Sequence, residues 1–388
     1  MKRVVFFLFS LFFFCFSVYA EEFDITGKYV SLYNMNEDML IYSKNDTKKT
    51  SIASLTKMMT TLVAIENIDD LEKVITIKER DFDGTVGYSK AGFSVGDKVT
   101  YLDLLYGIIL PSGADAVNAI VNNTLGYNSF IKKMNETAKK IGMNDTSFAN
   151  PIGKDDENNY STSSDIAKLL KYALKNETFK KVFTTKSYKT SNGINLESTV
   201  NSYKSILNTS EILGAKSGFT KNAGRCLASI TTLNGVDYLL VVINSSTSSP
   251  SNAVKDTITI YDYYSSNYGY KNILNDDTFI KEIPVDLSKE KTYKITGNED
   301  VNKYLKNGDE VTYEYVGSDK ITFNTKNGSK LGVVNIYNGD ELIATSNVYL
   351  ENNIEYYPIV TYVLIFIGVI FILLIIRKSK KKHRRRRR

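Results

Sequence analysis

The chain has 388 residues, with 49 Lys and Arg against 43 Asp and Glu (net +6), one histidine and two cysteines. That length accommodates two or three domains. The one histidine, His383, lies in a basic run at the C-terminal end. This excludes a Ser-His-Asp or Cys-His mechanism and a His-ligated zinc site in the rest of the chain, where a base has to be Lys, Asp, Glu or Tyr.

Met1-Lys2-Arg3 is followed by an apolar run over residues 4–18, rich in Phe and Leu. Val18-Tyr19-Ala20 then offers small residues for cleavage after Ala20. This pattern predicts a secretory signal peptide over 1–20. Cys15 leaves with it, so the exported part keeps Cys226 alone and forms no internal disulfide.

Residues 28–33 and 39–43 alternate or run apolar around Asn34-Met-Asn-Glu-Asp38 and predict a hairpin. Next comes Ser51-Ile-Ala-Ser-Leu-Thr-Lys57, followed by an apolar run over 58–65 without Gly or Pro. A helix is expected to start near Ala53 or Ser54. Residues i and i+3 share a helix face, so the Lys57 amine can reach the Ser54 hydroxyl. In the first turn Ser54 also meets free backbone N–H groups and the positive end of the dipole. A serine hydroxyl is a weak nucleophile until a neighbouring base takes its proton, and a desolvated lysine is such a base. Ser129/Lys132, Ser288/Lys291 and Ser379/Lys382 share the spacing, so the pattern alone is not specific.

Residues 74–77 read as a short strand and 87–99, with Gly92 and Gly96, as a loop or short hairpin. Residues 101–110 have helical spacing and run into Pro111-Ser112-Gly113-Ala114-Asp115-Ala116, ahead of a second apolar stretch over 116–121. Pro111 and Gly113 predict a tight turn between two helices that exposes Ser112 on a loop. Residues 130–141 read as an amphipathic helix, Asn150-Pro-Ile-Gly153 as a turn, and 161–165 as the cap of a helix over 166–174. Lys216-Ser217-Gly218 stands between Gly214 and a strand over 225–231, with a second strong strand over 238–244. An exposed lysine beside a hydroxyl and a glycine on a strand edge suits a substrate carboxylate. Lys216 supplies charge, Ser217 and Thr220 donate hydrogen bonds, and Gly218 permits close approach.

Ser54-x-x-Lys57, Ser112-Gly-x and Lys216-Ser-Gly form an ordered set, far more specific than any one match. In this set the sequence resembles the penicillin-recognising serine enzymes, and more narrowly the low-molecular-weight penicillin-binding proteins that are D-alanyl-D-alanine carboxypeptidases. The likeness extends to Ala53-Ser-Leu-Thr-Lys-Met-Met-Thr60, Leu110-Pro-Ser-Gly113, Met134-Asn135, Gly142-Met143, Ser161-Thr162, and Lys216-Ser-Gly-Phe-Thr220 with Ala223-Gly224. It covers roughly residues 24–266. The resemblance implies an α/β fold: a β-lactamase/transpeptidase-like catalytic domain over 21–270, a sheet flanked by helices, with the site at the sheet edge. It implies catalytic roles for Ser54, Lys57 and Ser112. Ser54 attacks the carbonyl between two D-alanines, Lys57 takes its proton and Ser112 relays protons. Lys216, with Ser217 and Thr220, holds the terminal carboxylate, and the backbone N–H groups of Ser54 and Phe219 form an oxyanion hole. Peptidoglycan stem peptides ending in D-Ala-D-Ala are the implied partner and β-lactams the implied covalent inhibitors, with no metal or cofactor. Three departures stand out: Ala114 where the family usually has Asn, Ser217 where Thr is commoner, and no Arg just after the 238–244 strand. Asn118, one helical turn beyond Ala114, is a candidate replacement for the missing amide. Two rival readings are a silent peptidoglycan-binding homologue and a β-lactamase. The latter lacks a Glu-x-x-x-Asn arrangement in the helical insert.

From about Asp276 the texture changes. Residues 281–285, 292–295, 310–316, 320–324, 330–337 and 341–348 show strand-like alternation punctuated by Gly, predicting a small all-β sandwich over 276–350. It carries no visible chemistry, resembles the β-rich C-terminal domain of these carboxypeptidases, and reads as a spacer, with partner binding as the alternative. Residues 358–376 are apolar or neutral and long enough to span a bilayer, with Tyr356, Tyr357 and Tyr362 at one edge and the basic run 377–388 at the other. The expectation is one transmembrane helix anchoring the protein in the cell membrane, its tail cytoplasmic and its catalytic domain outside. With Lys2, Arg3 and the ten Lys and Arg from Arg377 onward set aside, the remaining chain is net negative, which gives no case for nucleic-acid binding.

Overall fold

The computed structural model describes residues 23–386 apart from residue 324, so the segment read as a signal peptide lies outside the described residues. The chain forms two compact units that divide between Ser266 and Asn267.

The first unit is organised on a five-stranded sheet. The predicted hairpin is β1 (Tyr29–Asn34) and β2 (Met39–Lys44). After a long insert the chain returns as β7 (Gly214–Thr220), β8 (Gly224–Leu233) and β9 (Val236–Ser245), and ends the unit with the helix α7 (Asn252–Asn267). The strand order is β2-β1-β9-β8-β7, with every neighbouring pair antiparallel. Strand β9 is apolar almost throughout because both faces of the sheet are covered. Leu239, Val241 and Ile243 enter the main core with the helical insert. On the opposite face the Tyr238 ring lies 6.2 Å from that of Tyr261 on α7. The Asp256 carboxylate of α7 accepts hydrogen bonds from the backbone N–H groups of Thr26 and Gly27 and from the Ser245 hydroxyl, tying the start of the sheet to its last strand.

The insert begins with one 3₁₀ turn, Ala53–Leu55, which leads into α1 (Thr56–Asn67). Helix α1 is buried from Thr56 to Ala64, which accounts for its lack of a polar face. Around it come β3 (Val74–Thr76) paired with β4 (Lys98–Thr100), then α2 (Tyr101–Ile109), α3 (Ala114–Asn123), α4 (Tyr127–Lys140), α5 (Ser163–Ala173) and α6 (Glu177–Thr184). A small ladder of β5 (Ser187–Lys189) and β6 (Asn195–Glu197) leads back to β7. The helix starts carry the signals their sequences advertise. Thr100 and Asp103 form a reciprocal capping box on α2, Thr162 accepts from Asp165 N–H on α5, and Asn176 accepts from Phe179 N–H on α6.

The second unit is all β up to its final helix. Strands β14 (Val311–Gly317), β15 (Lys330–Asn338) and β16 (Glu341–Tyr349) form an antiparallel ladder, accompanied by the pairs β10 (Tyr268–Leu274) with β13 (Val301–Lys306) and β11 (Phe279–Pro284) with β12 (Thr292–Thr296). Ile295, Val334, Ile336 and Leu350 sit at its centre with almost no exposure. Strands β10 and β13 are additional to those expected, while the segment expected as a strand over 320–324 makes only a bridge from Ile321 to Val285. The last helix, α8 (Ile359–Arg386), contains the apolar stretch Tyr362–Lys380, with mean hydropathy 2.3 and no buried residue. It is long and apolar enough to cross a membrane, and it suggests a membrane anchor.

Candidate active site

Ser54 lies in the 3₁₀ turn Ala53–Leu55, so the α-helix itself starts at Thr56, two residues later than a start at Ser54. The i to i+3 relation still holds. Lys57 Nζ donates to Ser54 Oγ at 2.9 Å and to the Ile152 carbonyl at 2.7 Å. Of the other Ser-x-x-Lys pairs, Lys132 pairs with Glu136 and Ser288 donates to the Val285 carbonyl. Lys57 is buried, and burial pushes its pKa from 10.5 down to about 7, against the opposing pull of the buried Asp115 carboxylate.

The Ile152 carbonyl is delivered by the Asn150–Gly153 turn, whose tight bend is fixed by Asn150 Oδ1 accepting from the Gly153 and Lys154 N–H groups. Thr60 Oγ1 donates to the neighbouring Pro151 carbonyl at 2.6 Å. Gly153 has φ +87°, and a Cβ there would come 2.0 Å from the Ala53 carbonyl oxygen, so this turn presses directly on the backbone next to Ser54.

Ser112 joins α2 to α3 at φ +67°, a left-handed conformation unusual for a residue with a side chain. The junction is held by Gly113 N–H on the Gly107 carbonyl and Ala114 N–H on the Ser89 carbonyl, both at 2.8 Å. The expectation of an exposed Ser112 is corrected. The residue is only 5% exposed because the helices on either side enclose it, yet it borders the cleft. Its hydroxyl accepts from Lys216 Nζ at 2.9 Å.

Lys216 is likewise not the exposed lysine expected. It is fully buried on the edge strand β7, with its amine committed to Ser112 Oγ and to the Ser217 carbonyl at 2.7 Å. Burial, together with the nearby positive charge of Lys57, pushes its pKa well below the usual lysine range. Strand alternation puts Ser217 and Phe219 on one face of β7 and Lys216, Gly218 and Thr220 on the other. Ser217 Oγ shares a 2.5 Å hydrogen bond with Thr199 Oγ1. Gly218 lies against the nucleophile's own backbone, where a Cβ would approach Ser54 N to 3.0 Å. Thr220 is turned away: its hydroxyl donates to Asp155 Oδ1 at 2.6 Å, and it does not line the cleft.

One cleft brings these parts together. It is bordered by Ser54, Ser112, Ser217, Gly218 and Phe219, and by Tyr88 and Ser89 from the loop after β3. Thr199, Tyr203 and Arg225, which no sequence motif marks, also line it. Asn118 does not replace the missing amide at Ala114. Its Nδ2 donates to the carbonyls of Asp81 and Asp83 at 3.1 and 2.9 Å, facing away from the cleft.

Residues 17–247 match the D-alanyl-D-alanine carboxypeptidase family, and residues 268–356 match the penicillin-binding protein 5 C-terminal domain. The chain is similar to D-alanyl-D-alanine carboxypeptidase DacF of Bacillus subtilis (strain 168), with 27% identity over 343 residues, 87% of this chain and 88% of that protein. It is 33% identical over 227 residues to a D-alanyl-D-alanine carboxypeptidase of Streptomyces sp. (strain K15), covering 54% of this chain and 78% of the other. In fold it resembles penicillin binding protein 5 from Haemophilus influenzae, with a TM-score of 0.62, 22% identity, and coverage of 86% of this chain and 99% of that one. With Ser54, Ser112 and Ser217 on one cleft, the buried Lys57 and Lys216 amines hydrogen-bonded to Ser54 and Ser112, and a family match over more than half its length, the chain belongs to the D-alanyl-D-alanine carboxypeptidase family.

Proposed function

We propose that the protein is a serine-type D-Ala-D-Ala carboxypeptidase that removes the terminal D-alanine from peptidoglycan stem peptides. The observation that carries this is the 2.9 Å contact between Ser54 Oγ and a buried Lys57 amine whose pKa falls to about 7. In its neutral form Lys57 takes the Ser54 proton as Oγ bonds to the carbonyl carbon of the penultimate D-alanine. On this reading the Ser54 and Phe219 N–H groups serve as the oxyanion donors, each such donor contributing about 3 kcal/mol to the transition state. The peptide C–N bond breaks as its nitrogen receives a proton through Ser112, which Lys216 holds in place. Water then attacks the Ser54 ester, returning the proton to Oγ and releasing the shortened stem. β-Lactams present a strained amide to the same hydroxyl and are covalent inhibitors on this reading.

Helix α8 anchors the protein as a single span, with the basic run 377–388 on the cytoplasmic side and the first unit outside, an orientation supported by the charge asymmetry. The test is release of D-alanine from a diacetyl-lysyl-D-Ala-D-Ala peptide by the full chain in detergent, beside Ser54→Ala. Release that vanishes in the variant is expected. A folded wild type that releases none would overturn the reading.

A further inference from the structure

A carboxypeptidase has to recognise the negative charge of a free chain end, and Lys216 is fully buried with its amine on Ser112 and the Ser217 carbonyl. Among the residues that border the cleft, one carries a formal charge: Arg225, at the start of β8. It stands directly across from Phe219 in the β7–β8 ladder, and its guanidinium carbon lies 3.9 Å from the centre of the Phe219 ring. Directly opposed residues of an antiparallel pair share a sheet face, so Arg225 lies on the side of Ser217 and Phe219. Its Nε is buried without a hydrogen-bond partner, and among the described residues no carboxylate pairs with the guanidinium. An arginine that stacks on an aromatic ring and borders an active-site cleft, with no anion of its own chain, is preset for an anionic ligand. Ala253 and Val254, in the first turn of the long helix α7, border the same cleft, so the positive end of that helix adds to the field there.

We infer that Arg225 receives the terminal carboxylate of the substrate and thereby sets the preference for a free D-alanine end over an amidated or internal one. This rests on the carboxypeptidase reading above. The planar guanidinium offers paired N–H donors to both carboxylate oxygens, a match that a lysine makes only as a point charge. Phe219 fixes the plane of the fork, which explains why a ring that is 48% exposed sits on the substrate strand. The chain has no arginine after β9 near the cleft, and Arg225 supplies the cation from the neighbouring strand.

The experiment compares diacetyl-lysyl-D-Ala-D-Ala with its C-terminal amide, following release of D-alanine or D-alaninamide by chromatography. It uses the full-length wild type, Arg225→Gln and Arg225→Lys. The wild type is expected to favour the acid over the amide in kcat/KM on the order of 100-fold, the scale of a lost charge-assisted pair. In Arg225→Gln that preference collapses because the acid falls, while the amide moves far less. Arg225→Lys recovers part of the preference. Retention of the wild-type preference in Arg225→Gln would overturn the inference. So would an equal fall for acid and amide accompanied by a lowered melting temperature, which would mark Arg225 as a packing residue for Phe219. Failure of the wild type to cleave either peptide would overturn the carboxypeptidase reading itself, and the inference with it.

Discussion

Acidification bears most directly on Lys57. A lysine titrating at 10.5 is neutral in about one molecule in 3,000 at pH 7, whereas one titrating at about 7 is neutral in about half. Holding the amine neutral in this way corresponds to roughly 5 kcal/mol in favour of the uncharged form. Burial is the larger cause, and the Asp115 carboxylate opposes it. The sign is unambiguous: the neutral amine is the base, so acylation of Ser54 rises with pH through about 7 and levels off above it. At two pH units below that midpoint the rate falls to about one hundredth of the plateau. Asp115→Asn sharpens the test. Asp115 Oδ1 accepts from Ala91 N–H at 2.8 Å, a bond the asparagine carbonyl can keep, while Oδ2 has no partner. Removing the charge removes the influence that holds the Lys57 pKa up, so the ascending limb moves to lower pH by up to about one unit. The assay is stopped-flow acylation by a chromogenic β-lactam from pH 5 to 10, normalised to each variant's plateau. A wild-type limb near 10, or an Asp115→Asn limb shifted to higher pH, would refute the account of Lys57.

Two glycines next to the nucleophile give further outcomes. Gly153→Ala puts a Cβ into the Ala53 carbonyl at a positive φ, so the Asn150–Gly153 turn has to shift and withdraw the Ile152 carbonyl from Lys57. Thermal unfolding is expected to show a loss of about 1–3 kcal/mol, and acylation to slow at least about tenfold. Gly218→Ala meets Ser54 N at 3.0 Å and the Ala53 Cβ at 3.2 Å, contacts that a shift of a few tenths of an ångström relieves. Its stability is expected to change by less than about 1 kcal/mol while kcat/KM for D-alanine release falls about tenfold. Unchanged kinetics would show that β7 does not set the geometry at Ser54.

What could be read from the chain follows from the range over which each feature is determined. The Ser54/Lys57 pair is local, and one helical turn brings the two together whatever surrounds them. The hairpin of β1 and β2, the Pro111–Gly113 junction and the caps of α2 and α5 are local as well, written in turn and capping residues. Burial is not local. Lys216 read as exposed because charged residues usually are, and its enclosure depends on Ser112, which is 104 residues away in sequence. The Ile152 carbonyl that holds Lys57 is a backbone acceptor and leaves no mark on side-chain chemistry. Arg225 looked like an ordinary strand start, since what makes it distinctive is the absence of a partner. Strands β10 and β13 pair across a long separation with Lys, Asn and Tyr among their residues, so neither shows the apolar alternation that marks a strand. Asn118 was within helical reach of the Ala114 position, but the carbonyls of Asp81 and Asp83 compete for its amide.

The central claim is that Ser54 carries the acyl group, and the most direct measurement is to find it there. The full-length protein, incubated with benzylpenicillin and separately with a D-Ala-D-Ala peptide quenched in acid during turnover, is digested and analysed by mass spectrometry. The account predicts one acyl adduct per chain, on the peptide containing Ser54, present with both reagents and absent from Ser54→Ala. An adduct on another residue, or steady D-alanine release from Ser54→Ala at the wild-type rate, would contradict it.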